Sequence, residues 1–184
     1  MTDAGTPMER PSPAAALERA FEAVRRERME GVPMLNPTLE VEAVGFRPWR
    51  EHWLGILITP WFMNVVLMPR VSAAWQAIGE RETRHHVFPG GVFEFIGARE
   101  ATLGDYQACS LFSPMFEFAD QQEAHDTALA ALAALFDPAS REPSPARLPP
   151  VADEVAATAP DQALPVLSKR DFLFGAPPRG DRAP

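Results

Sequence analysis

The sequence predicts an α+β fold, one antiparallel sheet of four to six strands covered by an N-terminal and a C-terminal helix in a two-layer stack. Three observations lead there. Short alternating or continuous apolar runs follow one another from residue 38 to 112, and the early connections are far too short for parallel crossovers, which need a dozen or more residues. Apolar residues at helical spacing flank that region on both sides, Leu17, Phe21 and Val24 before it and Ala124, Ala128, Ala131, Leu132 and Leu135 after it. Ten of the 20 prolines fall from Pro138 onward, a density that reads as a linker or tail rather than a packed unit. The expected organisation is a disordered N-terminus over 1–12, a folded domain over 13–138, and a Pro/Ala-rich tail over 139–184.

In order, Ser12-Pro13 reads as a helix start, with serine at the N-cap and proline at the first helical position. The helix runs through AAALERAFEAVRRERME to a glycine stop at Gly31. The charged cluster Arg25 to Glu30 is a solvated face near its end. Prolines at 33 and 37 make a connector. Thr38 to Phe46 alternates as a strand, and RPWREH over 47–52 is a turn. Trp53 to Thr59 is nearly all apolar and predicts a strand buried on both faces, and Met63 to Met68 predicts a third strand, ended by Pro69. Residues 70–82 carry a weak helical pattern around Trp75 and Ile78. Thr83 to Phe88, Gly91 to Ala98 and Gly104 to Phe112 complete the strands, with Pro89-Gly90-Gly91 as a turn. Asp120 opens the last helix.

Composition excludes several classes. A net charge of −8 argues against nucleic acid as the main partner, since phosphate binding needs a basic surface, and permits a cationic one. A single cysteine leaves no disulfide framework and no cysteine-based zinc site. The N-terminus shows no secretory h-region, and no apolar run is long enough to span a membrane, so the cytoplasm is the expected location.

Candidate chemistry is sparse. The histidines are His52, His85, His86 and His125, and the adjacent pair in a strand would point to opposite faces. No spacing matches a metal site, so no metal and no cofactor is expected. Cys109 lies mid-strand among apolar residues, the setting of an inert thiol. Ser110 and Ser113 lack a nucleophile elbow, and Gly90-Gly91 is a hairpin rather than a phosphate loop. No residues carry an enzyme reading.

The stretch from Gly104 to Leu135 joins a strand to the helix expected to cover the sheet. At the junction Met115, Phe116 and Phe118 alternate with Glu117, Asp120 and Glu123. That mixture suits a surface receiving an apolar, basic peptide, and equally an ordinary domain corner. Trp61-Phe62-Met63, beside Pro60 in a strand connection, either folds into the core or forms an apolar binding surface. Methionines there suit an adaptable groove. Arginines of a ligand would engage the carboxylates bidentately if the two loops meet in space. The candidate partner-binding residues are therefore Trp61, Phe62, Met63, Met115, Phe116, Glu117, Phe118, Asp120 and Glu123.

Asn36-Pro37, VEAVGF over 41–46, LGILITPWFMN over 54–64, FPGG over 88–91 and CSLFSPMFEF over 109–118 together resemble the HybE/HupJ family of [NiFe]-hydrogenase assembly chaperones. The resemblance covers about residues 15–137. It implies a cytoplasmic, non-enzymatic accessory factor that binds an immature hydrogenase subunit, small or large, before export, and in some members the twin-arginine signal peptide of the small subunit. Other hydrogenase maturation factors are further partners it allows. Two alternatives belong to other classes, a redox or metal-delivery factor in the same pathway and a scaffold subunit that stays in the mature complex.

The tail holds one further motif. Ser168-Lys169-Arg170-Asp171-Phe172-Leu173 is similar to the twin-arginine consensus with lysine in place of one arginine, but it stands at the wrong end for export and no h-region follows. It is a short amphipathic segment or coincidence, a tethered mimic of the cargo peptide carried by Ser168, Lys169, Arg170, Phe172 and Leu173, or a dock for another maturation factor.

Overall fold

The computed structural model describes residues 10–71 and 75–140. The elements are α1 (Ala14–Arg28), β1 (Glu42–Trp49), β2 (His52–Ile58), β3 (Met63–Pro69), β4 (Thr83–Phe88), β5 (Gly91–Glu100), β6 (Gly104–Phe112) and α2 (Gln121–Phe136), followed by a 3₁₀ turn at Pro138–Ser140. The six strands form one antiparallel sheet in the order β1-β2-β3-β6-β5-β4. Two three-stranded meanders are thus joined along the β3–β6 seam, where Val65 stands opposite Cys109 and Val66 opposite Ala108.

The sheet is strongly curled. Trp49 lies at the end of edge strand β1 and Phe88 at the end of the opposite edge strand β4, yet their rings stack with centroids 4.3 Å apart. Right-handed twist accumulating over six strands brings the edges together. Helix α2 fills the concave face. Its buried side chains are Ala124, Ala128, Ala131, Leu132 and Leu135, the stripe read from the sequence. Three alanines on that stripe let the helix axis sit close to the strands. Close approach also explains two glycines: a Cβ at Gly45 would meet Leu132 at 2.5 Å, and one at Gly90 would run into the Ala134 carbonyl oxygen.

Helix α1 lies on the other face. Along β2, Leu54, Ile56 and Ile58 belong to the α2 core, whereas Leu57 belongs to a second core with Leu17, Phe21, Trp61, Val66 and Met68. Successive strand residues point to opposite faces, so the two helices are on opposite sides of the sheet. The antiparallel sheet with a helix from each end of the chain agrees with the sequence reading. The layering differs: three layers replace two, because β2 and β3 are apolar on both faces and need cover on both.

Smaller differences have local causes. Strand β1 runs on to Trp49, through residues read as a turn, because a register shift between Val44 and Arg47 re-aims the strand at Gly45, whose φ is +64°. Pro48 is tolerated there on an edge strand. Residues 75–79 form no helix. Pro13 is the N-cap of α1 rather than its first helical residue, and its neighbour Ser12 makes only a long 3.5 Å contact to the Ala14 amide. Among the described residues no helix is long and apolar enough to cross a membrane.

Candidate functional site

Three of the quoted motifs meet at one corner. Asn36 is 5% exposed, and its side-chain amide donates to the carbonyls of Met115 at 3.0 Å and Phe118 at 2.8 Å. Its backbone amide donates to the Pro60 carbonyl at 2.8 Å, and its Oδ1 accepts from the Thr38 amide and hydroxyl. The 33–38 connector, the Pro60 turn and the 113–118 loop are thereby pinned together. The Ser113 hydroxyl adds a bond to the Trp61 carbonyl at 3.3 Å, and the Ser113–Pro114 peptide is cis. The turn after β2 is closed by Thr59, which is fully buried; its Oγ accepts from the amides of Trp61 and Phe62.

The two candidate loops therefore meet, but most of their large side chains face inward. Met63, Met115 and Phe118 lie in the α2 core, where Phe118 packs edge-on to Phe112. Trp61 belongs to the α1 core, and Phe62 is half-buried beside Phe21 and Trp61. Phe116 is different. It is 59% exposed, the most exposed large apolar side chain among the described residues, with Glu117 exposed next to it. Met34, on the connector that Asn36 ties to this loop, is exposed as well. A cleft of about 490 Å³ opens at the connector, lined by Leu35, Pro37, Leu39 and Pro60 together with Arg25, Arg26 and Glu30.

The carboxylates divide by role. Asp120 is the N-cap of α2, its side chain accepting from the Glu123 amide at 2.9 Å, and Glu123 reaches back to accept from the Ala119 amide at 2.8 Å. The Asp120 bond satisfies an orphan amide of the helix start, and the Glu123 bond ties down the residue just before the cap, a variant of the capping box. Both residues remain on the surface. Helix α2 is fixed further by Glu42, which accepts from Gln121 at 2.6 Å and lies 2.7 Å from His125 Nδ1.

A second polar–aromatic cluster closes the curl of the sheet. Trp49, His52, Trp75 and His86 pack face to edge, and His86 Nε2 lies 2.7 Å from the buried Gln107 Oε1. Burial pushes both His52 and His86 below the ordinary histidine range. The neutral rings serve packing. Among the described residues no group of three His, Cys, Asp or Glu is placed to hold a metal ion.

The sequence reading missed Met34 and the hub residue Asn36 as members of the corner. It also missed an uncovered strip on the α1 side of β4 and β5, where Val87, Val92 and Ile96 are exposed. The signal was present in GVFEFIGA, whose Val92 and Ile96 alternate with Phe93 and Phe95 and so make β5 apolar on both faces. The tail residues Ser168, Lys169, Arg170, Phe172 and Leu173 lie outside the described residues.

The chain matches known proteins over most of its length. It is 41% identical over 159 residues to the hydrogenase expression/formation protein HupJ of Bradyrhizobium diazoefficiens, covering 86% of this chain and 85% of that one. It is 39% identical to the protein HoxT of Cupriavidus necator, covering 86% of each. It is 37% identical to a probable rubredoxin HupJ of Rhodobacter capsulatus, of which it spans only 46%. The solution structure of HybE from Escherichia coli superposes with a TM-score of 0.54 at 24% identity, over 79% of this chain and 92% of that one, and so shares the fold. The family model described as [NiFe]-hydrogenase assembly, chaperone, HybE matches residues 12–175, and the chain belongs to that family of hydrogenase assembly chaperones.

Proposed function

We propose that this chaperone acts by binding alone, holding an immature hydrogenase subunit in the cytoplasm before export. Its client ligand on this reading is a segment that joins arginines to an apolar stretch, the chemistry of a twin-arginine signal peptide. The observation that carries the reading is Phe116, 59% exposed on a loop that is otherwise pinned to the core. An aromatic side chain held outward on a pinned loop is ready to serve as the anchor of an interface, the role aromatic residues most often fill there. Glu117 beside it and Asp120 and Glu123 on the adjacent helix turn supply acceptors for guanidinium groups, and Met34 and the cleft at the connector supply apolar area. Trp61, Phe62, Met63, Met115 and Phe118 then support the site from beneath, setting the loop's position rather than touching the ligand.

Calorimetric titration with a synthetic signal peptide of the partner small subunit, and with its Lys-Lys variant, tests this. Saturable binding that weakens at least about tenfold in the Lys-Lys peptide and in Phe116→Ser is expected. Equal binding by Phe116→Ser would reject the corner as the site. Binding of the folded subunit without binding of either peptide would identify the subunit body as the client. Metal analysis of the purified protein separates this reading from a metal-delivery role, and the absence of fixed-stoichiometry co-purification with active enzyme separates it from a scaffold subunit.

A further inference from the structure

The α1 side of the sheet is only half covered. Helix α1 packs over β1, β2 and β3, and on the β4–β5 half three apolar side chains stay in water: Val87 is 54% exposed, and Val92 and Ile96 are each 44% exposed. Val87 and Val92 are direct cross-strand partners, and Ile96 stands four pairs further along on the same face. Glu94 lies between them on the same face, 3.7 Å from His85. The row continues along β5 to Glu100, which is paired with Arg28 at 2.8 Å and lines a groove of about 680 Å³ between α1 and the β5–β6 turn, with Ala20, Leu103, Arg19 and Arg99 also in its lining. From Val92 to Glu100 the row is about 26 Å long at the rise of a strand.

The described chain ends close to one end of this strip. Helix α2 finishes against the β4–β5 hairpin, where the Gly90 amide donates to the Leu135 carbonyl at 2.9 Å. Val87 and Val92 are the pair next to that hairpin, and the described chain ends at Ser140, five residues past Leu135. A further 44 residues follow, 141–184. The Phe116 corner is at the other end of α2, about 24 Å away along a helix of this length. The family match also runs on to residue 175 and so encloses the segment Val166-Leu167-Ser168-Lys169-Arg170-Asp171-Phe172-Leu173-Phe174-Gly175. That segment carries two cations and one carboxylate, Asp171, ahead of a Phe-Leu-Phe run, and so is net positive. The strip pairs a carboxylate with three apolar side chains.

We propose that residues 166–175 dock on the exposed β4–β5 strip of their own chain, with Phe172, Leu173 and Phe174 on Val87, Val92 and Ile96 and with Lys169 and Arg170 toward Glu94. Between Ser140 and Val166 stand 25 residues, and a linker of that many residues reaches about 25–30 Å, enough to round the hairpin. Tethering at that length sets an effective concentration in the millimolar range, so a modest contact suffices. The tail thereby extends the cover that α1 gives to its face of the sheet. This docking does not depend on the client reading above.

The test uses the full chain carrying Cys109→Ala, with a nitroxide on Ala176→Cys and methyl-resolved NMR. Loss of most of the Val87, Val92 and Ile96 methyl intensity is expected. The loss should be independent of protein concentration, with the exposed Leu129 of α2 and with Met34 unaffected. Phe172→Ser with Phe174→Ser should restore the signals, and so should Ile96→Lys, each in a chain whose other methyl shifts report an intact fold. Broadening centred on Met34 and Met115 would place the tail in the Phe116 corner and overturn the proposal. Broadening that grows with concentration would assign the strip to a second copy and overturn it too, as would no selective broadening at all.

Discussion

Trp49 stacks on Phe88 at 4.3 Å with ring planes 14° apart, although the two residues belong to opposite edges of a six-stranded sheet. The contact is a clasp. It joins the ends of β1 and β4 over the C-terminal turn of α2, where Phe136 packs edge-on to Phe88 and the Arg47 guanidinium lies 4.3 Å over the Phe136 ring. Removing it by Trp49→Ala should cost about 2–4 kcal/mol, below the cost for a fully buried aromatic because Trp49 is half-buried. Urea unfolding measures this. A loss below about 0.5 kcal/mol would mean that the edges are held without the stack.

Asn36 links motifs far apart in the chain. Asn36→Ala would strip the Met115 and Phe118 carbonyls of their donor inside the protein and cost about 2–4 kcal/mol. Asn36→Asp should be at least as damaging, since it sets a carboxylate against two carbonyl oxygens. The same variants should loosen the Phe116 loop and weaken peptide binding beyond the stability loss, which titration at a temperature well below unfolding would reveal. Unchanged stability in Asn36→Asp would reject the hub.

The roles within the acidic cluster separate by substitution. Asp120→Ala removes the N-cap of α2 and should cost about 1 kcal/mol, while Asp120→Asn, a good cap, should cost little. Glu117→Gln should leave stability unchanged and weaken binding of an arginine-bearing peptide. If Asp120→Asn binds as tightly as the native protein while Glu117→Gln does not, the ligand's cation meets Glu117 alone. Equal binding by both variants would remove these carboxylates from the site.

Much of this was legible before the fold was known. Trp53 to Thr59 reads as a strand buried on both faces because its apolar run is nearly continuous, and Ala124 to Leu135 reads as one helix stripe because the spacing is regular. Layering was harder to see. A doubly apolar β2 demands cover on two faces but does not say which helix supplies which. The curl that brings Trp49 to Phe88 was not legible at all, since it is a sum of small twists with no local signature. At the site, local sequence shows that Met115, Phe116 and Phe118 are large and apolar. Only the pinning by Asn36, some 80 positions away, decides that Phe116 alone turns outward.

The histidine cluster under the clasp makes stability depend on pH. His52 and His86 are lowered from 6.5 first of all by burial; His86 and the arginines at 50 and 84 add to the lowering at His52, and Arg84, Arg50 and His85 do so at His86. Glu51 opposes it at His52, and the bond to Gln107 opposes it at His86. With the folded value depressed, the unfolded chain takes up protons first as pH falls, so stability is full above about 6.5 and declines below it. The melting temperature should therefore drop between about pH 6.5 and pH 5.5, before the bulk of the carboxylates titrate. In His52→Gln with His86→Gln that slope should flatten. The amide introduced at position 86 can still donate to Gln107, and neither position then gains a charge. A double variant that keeps the native slope would show that the acid sensitivity arises outside the cluster and that the two rings titrate freely in the folded protein.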